Sequence, residues 1–389
     1  MRKLFLLLFS LFAVLVLAAA PPRAGKSYRV LMLGDTHYDE MKFHRSKPAT
    51  ANKSGEQSRN LKMWKGASQR LLTAANRRAA AVGAVCAFQL GDISQGDADG
   101  PELMRDMLGT AYAKVGSFFP RLQLFPVKGN HDIRLRGKNG KGKSDSGPYR
   151  DAILPKLSKM LGVPPLDRAN YTLTLGEDLY IVIDGFYPAE DCTEFVKRSL
   201  EEHPRARYVF LLTHLPVLPA SSGGPFWLLP GHFEIADLLE TRNAVILSAH
   251  THSFSLATRT TRRGRIVQLI TTSMGAGWNP GSIARSKPFG WKDLVARSHE
   301  SEKGLQRSGG KDKLMKQWEI MESKGSYTFR KFFANSGFTV IEAAPAGVTA
   351  YIYADDSDKP AETVALIGGA AGARGGSSGS APGRRRGRR

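Results

Sequence analysis

Residues 244–252, "AVILSAHTH", join a short apolar run to two histidines at alternate positions. A run of this length with almost continuous hydrophobicity is typical of a strand that is buried on both faces. Five other stretches follow the same plan, with polar residues at the end of an apolar run: "YRVLMLGDTH" (28–37), "VCAFQLGD" (85–92), "LQLFPVKGNHD" (122–132), "LYIVIDG" (179–185) and "RYVFLLTHLP" (207–216). The pattern predicts sheets that are covered on both faces, with polar loops at the carboxyl ends of their strands.

Two stretches between these runs have the spacing of amphipathic helices. In residues 55–82, apolar side chains such as Leu61, Trp64 and Leu71 share one face. Residues 101–119 begin with a proline, which is favoured in the first turn of a helix. Because strands and helices alternate along the chain, we predict an α/β fold with its chemistry at one edge of the sheets.

The composition is that of a globular protein with a large excess of positive charge. The 389 residues are 42% hydrophobic and carry a formal net charge of +21. Residues 1–20 predict a signal peptide, and hence export to the periplasm or the extracellular medium, because two basic residues precede an apolar run that ends in Ala18, Ala19 and Ala20. An uncleaved membrane anchor is the alternative, since Pro21 disfavours cleavage. With only two cysteines, Cys86 and Cys192, no disulfide framework is expected.

We expect one domain over residues 26–365, followed by a tail. The domain ends in a hairpin at 337–354, and we interpret two basic segments, 133–150 and 281–335, as inserts. Helix-like pieces such as "KDKLMKQWEIMESK" (311–324) lie in the second insert. Residues 367–389 contain six arginines and no acidic residue, which predicts a disordered tail. Such a tail either contacts anionic polymers or a membrane surface, or only keeps the protein soluble.

The polar residues at the strand ends are potential metal ligands. Each motif alone also fits a turn, or a core residue whose hydrogen bonds are satisfied. Such motifs, however, follow several successive apolar runs along the chain. Residues i and i+2 share one side of an extended segment, so two pairs of these residues are expected to point into one pocket. A set of imidazole, carboxylate and amide ligands without thiolates suits divalent manganese, iron or zinc. The candidate metal ligands are Asp35, His37, Asp92, Asn130, His214, His250 and His252.

These motifs resemble those of the calcineurin-like metallophosphoesterases: D-x-H, then G-D, then G-N-H-D or G-N-H-E, then a lone histidine, then G-H-x-H. The resemblance extends from about Tyr28 to Met274, and on to the hairpin. It implies a sandwich of two mixed β-sheets flanked by helices, with two divalent metal ions at the strand ends. By the family's pattern one ion is bound by Asp35, His37 and His252, the other by Asn130, His214 and His250, and Asp92 bridges both. His131 then faces the substrate as a catalytic residue.

Some residues depart from subgroups of that family. The protein serine/threonine phosphatases read G-D-x-x-D-R-G where this chain has "GDISQG", so Gln95 and Gly96 replace an aspartate and a phosphate-binding arginine. Purple acid phosphatases need a tyrosine at the position of Gln95. Either Asp97 or Asp132 could orient His131 instead, although Asp132 fits a structural hydrogen-bond acceptor equally well. An alanine, residue 249, stands where the family has glycine, which could shift the backbone that carries His250.

The resemblance implies hydrolysis of a phosphate ester by a metal-bridging hydroxide that attacks phosphorus in line. We expect small phosphomonoesters or phosphodiesters as substrates. A nuclease-like phosphodiesterase and a non-enzymatic binder of anionic polymers are the alternatives. His232 is expected to have a surface role. Loop residues that could contact substrate, or else be solvated or packed in the core, are Arg134, Arg136, Lys138, Lys141, Lys143, Phe226, Trp227 and Trp278.

Overall fold

The computed structural model describes residues 25–44, 56–136, 143–220, 228–271, 273–274, 289–290, 325–333 and 336–368, with the single residues Glu319 and Ser323. Residues 1–20, nearly all of the predicted tail and most of segment 281–335 lie outside this part of the chain. So do Lys138, Lys141, Phe226, Trp227 and Trp278, and all but two residues of the helix-like stretch 311–324. In the described part, no helix combines the length and hydrophobicity needed to cross a membrane.

Two mixed sheets form the fold. The first has the strand order β16-β15-β14-β1-β2-β3. In it β1, β2 and β3 are parallel, and β14 to β16 add to β1 as an antiparallel meander. The strands of this sheet are β1 (Tyr28–Leu33), β2 (Ala84–Gln89), β3 (Leu124–Pro126), β14 (Gly337–Ala344), β15 (Gly347–Ala354) and β16 (Glu362–Gly368).

The second sheet has the order β12-β13-β10-β11-β9-β8-β7-β6. Strands β7, β8, β9 and β11 are parallel to one another, while the outer strands pair antiparallel. The strands are β6 (Tyr171–Leu175), β7 (Asp178–Val182), β8 (Val209–Leu212), β9 (Ala244–Ser248), β10 (Phe254–Thr261), β11 (Gly264–Ile270), β12 (Phe289–Gly290) and β13 (Gly325–Phe333). A separate two-stranded ribbon joins β4 (Arg134–Leu135) to β5 (Lys143–Ser144).

Helices cover the outer faces of the two sheets, so the predicted sandwich fold is confirmed. The helix α2 packs on β1, β2 and β14, whereas α6 and α7 cover the second sheet. The helices are α1 (Glu56–Trp64), α2 (Ala67–Ala81), α3 (Pro101–Ser117), α4 (Gly147–Ala152), α5 (Leu154–Leu161), α6 (Ala189–Glu202) and α7 (His232–Leu239).

Strand β7 shows why the predicted strands are continuously apolar. Its residues alternate between two cores: Tyr180 faces the interior of the sandwich, and Ile181 packs beneath α6 and α7. Between the sheets, the Tyr180 ring stacks on Phe88 of β2 and on Phe210 of β8, with centroids 5.2 and 4.5 Å apart. Both faces of the strand are therefore buried, and neither face needs polar residues.

All six apolar runs form strands, and the predicted helix at 101–119 is α3. The stretch 55–82 differs from the expectation of one helix, since it is two helices that are interrupted near Gly66. The predicted hairpin is β14–β15, with Ala344 opposite Gly347. Strand β16 then extends to Gly368, so residues 367 and 368 belong to a sheet rather than to the tail. Segment 281–335 contributes β12 and β13 to the second sheet. Cys86 and Cys192 are buried free thiols, as expected.

Candidate metal centre

The predicted ligands follow five parallel strands whose carboxyl ends meet at one edge of the sandwich. In the first sheet, β1 leads to Asp35 and His37, β2 to Asp92, and β3 to Asn130. In the second sheet β8 leads to His214 and β9 to the two remaining histidines. The sheets are joined at this edge, because Gly34 forms a bridge with Ser273, whose hydroxyl donates to the Asp35 carbonyl at 2.9 Å. The fold therefore brings all seven residues to one place.

The backbone of these residues is not the extended one that we expected. Five of them have positive φ: Asp35 at 38°, His37 at 46°, Asp92 at 54°, His250 at 69° and His252 at 52°. Left-handed backbone is uncommon for residues with a side chain, and it concentrates at functional sites. Asp35 and His37 nevertheless lie in one cluster, as their spacing predicts, although their backbone is not extended. The left-handed turns direct His250 and His252 into two different clusters.

The first cluster contains Asp35, His37 and His252. The Nε2 atoms of His37 and His252 lie 3.3 Å apart, and His252 Nε2 is 3.6 Å from Asp35 Oδ1. Asp35 Oδ1 is buried without a hydrogen-bond partner among the described residues, while its Oδ2 accepts from the His250 amide at 3.2 Å. The cluster therefore presents several lone pairs to one small volume.

The second cluster surrounds one nitrogen, His214 Nε2. It lies 3.0 Å from Asn130 Oδ1, 3.1 Å from His250 Nδ1 and 3.3 Å from Asp92 Oδ2. A ring nitrogen carries at most one proton and can therefore donate to only one of these three atoms. The other nitrogen of His214 fixes the ring, since Nδ1 is 2.9 Å from the Leu90 carbonyl.

Asp92 lies between the two clusters. One potential ligand group combines it with His214 and His250, and another with His37 and His131. Its Oδ1 accepts from the His131 amide at 2.7 Å, which holds the carboxylate in place. Gly129 makes this approach possible, because a Cβ there would be 2.1 Å from both the Asp92 nitrogen and Oδ1. Steric contact with Asp92 therefore explains why the first residue of the G-N-H motif is glycine.

Burial and neighbouring charges set the protonation of these groups in the metal-free protein. Burial raises the pKa of Asp35 to about 6, against the effect of His252. Burial also opposes ionisation of Asp92, yet His214 and His131 hold its pKa well below the usual range. Burial keeps the pKa values of His37 and His250 well below normal, so both rings are neutral and offer lone pairs. Burial lowers the pKa of His214, but Asp92 outweighs it and raises that pKa to about 9.

The spacing of the donor atoms fits divalent cations. Ligand atoms about 2.1 Å from one ion lie about 3.0–3.4 Å apart in octahedral or tetrahedral geometry. The separations of 3.0, 3.1 and 3.3 Å from His214 Nε2 fall in that range. Imidazole nitrogens and carboxylate oxygens are donors that manganese, iron and zinc accept. The His and Asp clusters thus have the composition and spacing of a two-metal site.

His131 lies beside the clusters, with its ring edge-on to that of His37 at a centroid distance of 4.6 Å. Its Nδ1 is 2.7 Å from the Gln95 carbonyl oxygen, and Nε2 is 3.0 Å from Arg134 Nη1. A carbonyl only accepts and a guanidinium only donates, so Nδ1 carries the proton and Nε2 is the acceptor. The backbone at Gln95 therefore fixes the tautomer of His131, a role that the sequence could not indicate.

The two aspartates proposed to orient His131 have different roles in the structure. Asp132 accepts from Ser94 through the amide (3.0 Å) and the hydroxyl (3.1 Å), and from the Gly129 amide at 2.9 Å. These bonds fix the loop, so the structure favours the structural alternative for Asp132. Among the described contacts, Asp97 is linked to His131 through Arg134, whose Nη2 donates to Asp97 Oδ2 at 2.7 Å.

Two substitutions relative to the family pattern have a structural explanation. Gly96 has a φ of +69°, and a Cβ there would lie 2.3 Å from the His131 carbonyl oxygen, so no arginine fits at this position. Ala249 is fully buried but does not share the positive φ of its neighbour His250. The additional methyl group therefore adds no backbone strain to the histidine loop.

The remaining predicted loop residues contribute unequally. Arg134 contacts His131, but the sequence marked it only as one of several basic residues in a loop. Arg136 pairs with Asp99 at 3.4 Å, and Lys143 is exposed in β5. His232 begins α7 outside both clusters, and its Nδ1 is 3.0 Å from the Leu229 carbonyl.

Comparisons with known proteins agree with this geometry. A family model described as calcineurin-like phosphoesterase matches residues 28–254. The fold is similar to that of a dimetal phosphatase from Danio rerio, with a TM-score of 0.52 and 12% identity over 87% of this chain and 98% of that chain. The TM-score is 0.49 for PhoD (10% identity; 89% of this chain, 70% of that one) and 0.48 for GAP50 of Plasmodium (13%; 88% and 89%).

At these identities the structural similarities concern the fold alone. No protein of curated function matches the sequence. The family model, however, covers more than half of the 389 residues and includes all seven clustered ligands. The chain belongs to the calcineurin-like phosphoesterase family.

Proposed function

We propose that the protein is a metal-dependent phosphohydrolase that cleaves phosphomonoesters or phosphodiesters. The observation that carries the proposal is the crowding of three atoms with lone pairs within 3.3 Å of His214 Nε2: Asn130 Oδ1, His250 Nδ1 and Asp92 Oδ2. Without a cation, such a group of buried lone pairs is costly. The arrangement is therefore built for divalent ions rather than for the stability of the metal-free fold.

The residues divide into two ligand sets. Asp35, His37 and His252 would hold one cation, and Asn130, His214 and His250 the other, with Asp92 shared between them. When bound, two such cations provide an acidified water as nucleophile and neutralise charge on the phosphoryl group. The positive-φ turns hold the donor atoms in place before a cation arrives.

His131 is the proposed proton-transfer residue, and it acts through Nε2. Its Nδ1–H bond to the Gln95 carbonyl fixes the ring orientation, which leaves Nε2 as the nitrogen on the side of Arg134. Nε2, which carries no proton in the free protein, would first take one up from solvent and would then donate it to the leaving oxygen or to the charge that develops on the phosphoryl group. Asp92 Oδ2, at 4.0 Å from Nε2, stabilises the protonated ring.

Purified protein tests the proposal. Hydrolysis of p-nitrophenyl phosphate, bis-p-nitrophenyl phosphate and single-stranded DNA is measured after loading with manganese, iron or zinc, and bound metal is quantified by elemental analysis. We expect two metal ions per chain and hydrolysis of at least one of the small esters. The His214→Ala variant is expected to lose metal and activity together. Absence of bound metal under all loading conditions would refute the proposal.

A nuclease-like phosphodiesterase is the second candidate, because a net charge of +21 favours polyanionic substrates. In that case single-stranded DNA is cut faster than the bis-ester, and the rate falls with added salt. A binder without activity would retain DNA and hydrolyse none of the three substrates.

We also propose that the protein is exported, on the basis of the basic and apolar residues 1–20. The cationic tail would then contact anionic polymers or a membrane surface. N-terminal sequencing of protein from the medium or periplasm distinguishes a cleaved signal from a retained anchor, since the anchored form stays in the membrane fraction.

A further inference from the structure

The guanidinium of Arg134 lies beside His131 at the proposed site. Its Nη1 donates to His131 Nε2 at 3.0 Å, and its Nη2 to Asp97 Oδ2 at 2.7 Å. The side chain is 26% exposed, whereas that of His131 is 7% exposed. A cation that is both held by an aspartate and reachable from solvent stands directly beside the proton-transfer histidine.

The backbone of Arg134 is fixed on two sides. Arg134 pairs with Ser144 in the β4–β5 ribbon, and its carbonyl accepts from the Asp97 amide at 2.7 Å. Gly96 permits this approach, since a Cβ there would be 3.0 Å from the Arg134 carbonyl oxygen. The guanidinium therefore starts from a rigid segment, which lowers the entropy lost when it binds an anion.

The partner described for Nη1 forms a weak hydrogen bond. His131 Nε2 is a neutral acceptor, and hydrogen bonds to a charged acceptor are about twice as strong as those to a neutral one. An incoming phosphoryl oxygen would therefore displace His131 from Nη1, and the release would free Nε2 to take up from solvent the proton that it then donates. The bond to Asp97 keeps the guanidinium in place while this exchange occurs.

We propose that Arg134 binds a non-bridging oxygen of the phosphoryl group of the substrate and, in the free protein, occupies Nε2 of His131. This inference rests on the proposed function. It makes the recognised group a phosphoryl group with an exposed anionic oxygen, and Asp97 a positioning residue for the arginine.

The test compares Arg134→Ala with Arg136→Ala in the metal-loaded protein. Arg136 is a matched control, because it lies two residues further along and forms the equivalent pair with Asp99, without contact to His131 in the described hydrogen bonds. Two quantities are measured: kcat/KM for p-nitrophenyl phosphate and the inhibition constant of inorganic phosphate. We expect R134A to lower kcat/KM and to raise the inhibition constant of phosphate, each by about 10- to 100-fold, which is the range for loss of a charged hydrogen bond. The change in R136A should stay below about threefold, because its described ion pair, with side chains 11% and 16% exposed, is with Asp99 and not with His131.

Two further measurements separate binding from indirect effects. Guanidinium chloride at millimolar concentration should restore part of the activity of R134A and none in R136A, which also shows that R134A is folded. In the double variant R134A/D97N, the carboxylate left without its partner is removed. The loss of activity seen in R134A should persist in this double variant. Recovery to the wild-type rate would overturn the inference, since it would mean that the unpaired carboxylate of Asp97 repels the substrate in R134A.

The inference can fail separately from the proposed function. If the wild type hydrolyses no phosphate ester, the proposed function is wrong, and calorimetric binding of inorganic phosphate to the metal-loaded protein still decides the role of Arg134. Equal phosphate affinities of the wild type and R134A would overturn it. If the wild type is active and R134A behaves as R136A, only the inference about Arg134 is wrong.

Discussion

Replacement of Gly129 by alanine should disrupt the metal centre through a single methyl group. A Cβ at this position would be 2.1 Å from the Asp92 amide nitrogen and Oδ1, and 2.8 Å from Cγ. The carboxylate would have to move by about 1.3 Å to reach the roughly 3.4 Å of ordinary contact, whereas metal ligands tolerate about 0.2 Å. We therefore expect G129A to lose at least one of the two metal ions and to lower kcat by at least about 100-fold.

The effect on stability is expected to be smaller than the effect on metal binding. Overpacking of a buried site costs about 1–3 kcal/mol, so the fold should survive. The control is Gly116→Ala in α3, where a Cβ meets nothing within 4 Å and alanine should stabilise the helix by about 0.5–1 kcal/mol. Elemental analysis, urea denaturation of the metal-free proteins and ester hydrolysis are measured on both variants. Wild-type metal content in G129A would refute the steric argument, because the contact distances leave Asp92 no room at its present position.

Three other variants or conditions test the rest of the account. His131→Ala should retain both metal ions and lower kcat by about 10²–10⁴-fold, as expected for loss of a proton donor, and full activity would exclude this role. His214 has a pKa near 9 in the metal-free protein, since Asp92 outweighs burial, so a cation must displace a proton at pH 7. The apparent metal affinity should therefore rise with pH up to about 9. Calorimetry of metal binding in two buffers of different ionisation enthalpy should detect about one released proton. Binding without proton release would show that the His214 ring is already neutral. Arg207→Met removes the two hydrogen bonds, at 2.9 and 2.6 Å, that the arginine donates to the fully buried carboxylate of Asp178. The free energy of unfolding measured in urea should fall by about 3–5 kcal/mol. Arg205→Met, at an exposed position nearby, is the control and should lower it by less than about 0.5 kcal/mol.

The parallel strands could be predicted because each is buried on both faces. In β9 every residue from Ala244 to Ser248 is buried, so hydrophobicity alone marks the strand. The D-x-H, G-D, G-N-H-D and H-x-H motifs then had to lie at the same edge, since the carboxyl ends of parallel strands meet there. Assignment of the seven residues to two clusters came from the resemblance, and the spacing of side chains in the structure agrees with it.

Strand β13 could have been recognised from its sequence. In "SYTFR" (326–330), Tyr327 and Phe329 are buried while Ser326 and Thr328 are exposed, which is the alternation of a strand with one solvent-facing side. Because the surrounding segment is highly charged, its sequence is interpreted instead as an insert. The interruption of the helix near Gly66 also had a signal, since glycine within a helical pattern lowers helix stability by about 1 kcal/mol.

The contacts of Arg134 had no comparable signal. The arginine is three residues from His131, but its position depends on the pairing of β4 with residues 97 and 98, a short bridge between two loops. Neither hydrophobic periodicity nor motif spacing describes such a pairing. The sequence therefore showed which residue types surround the candidate metal centre but not which arginine contacts His131.

The left-handed backbone of the ligands explains why the site depends on the rest of the fold. For residues with a side chain this conformation costs about 1–2 kcal/mol each, and five ligands adopt it. The total, about 5–10 kcal/mol, is comparable to the stability of a whole domain. Isolated loops with these sequences would therefore not hold the geometry. The loops hold it because Asp35 and His37 donate their amides to the carbonyls of Gly91 and Asp92 at 3.2 and 2.9 Å, so that the strained turns of neighbouring strands support each other. The D-x-H and G-D motifs are thus one structural unit, and neither forms the site without the other.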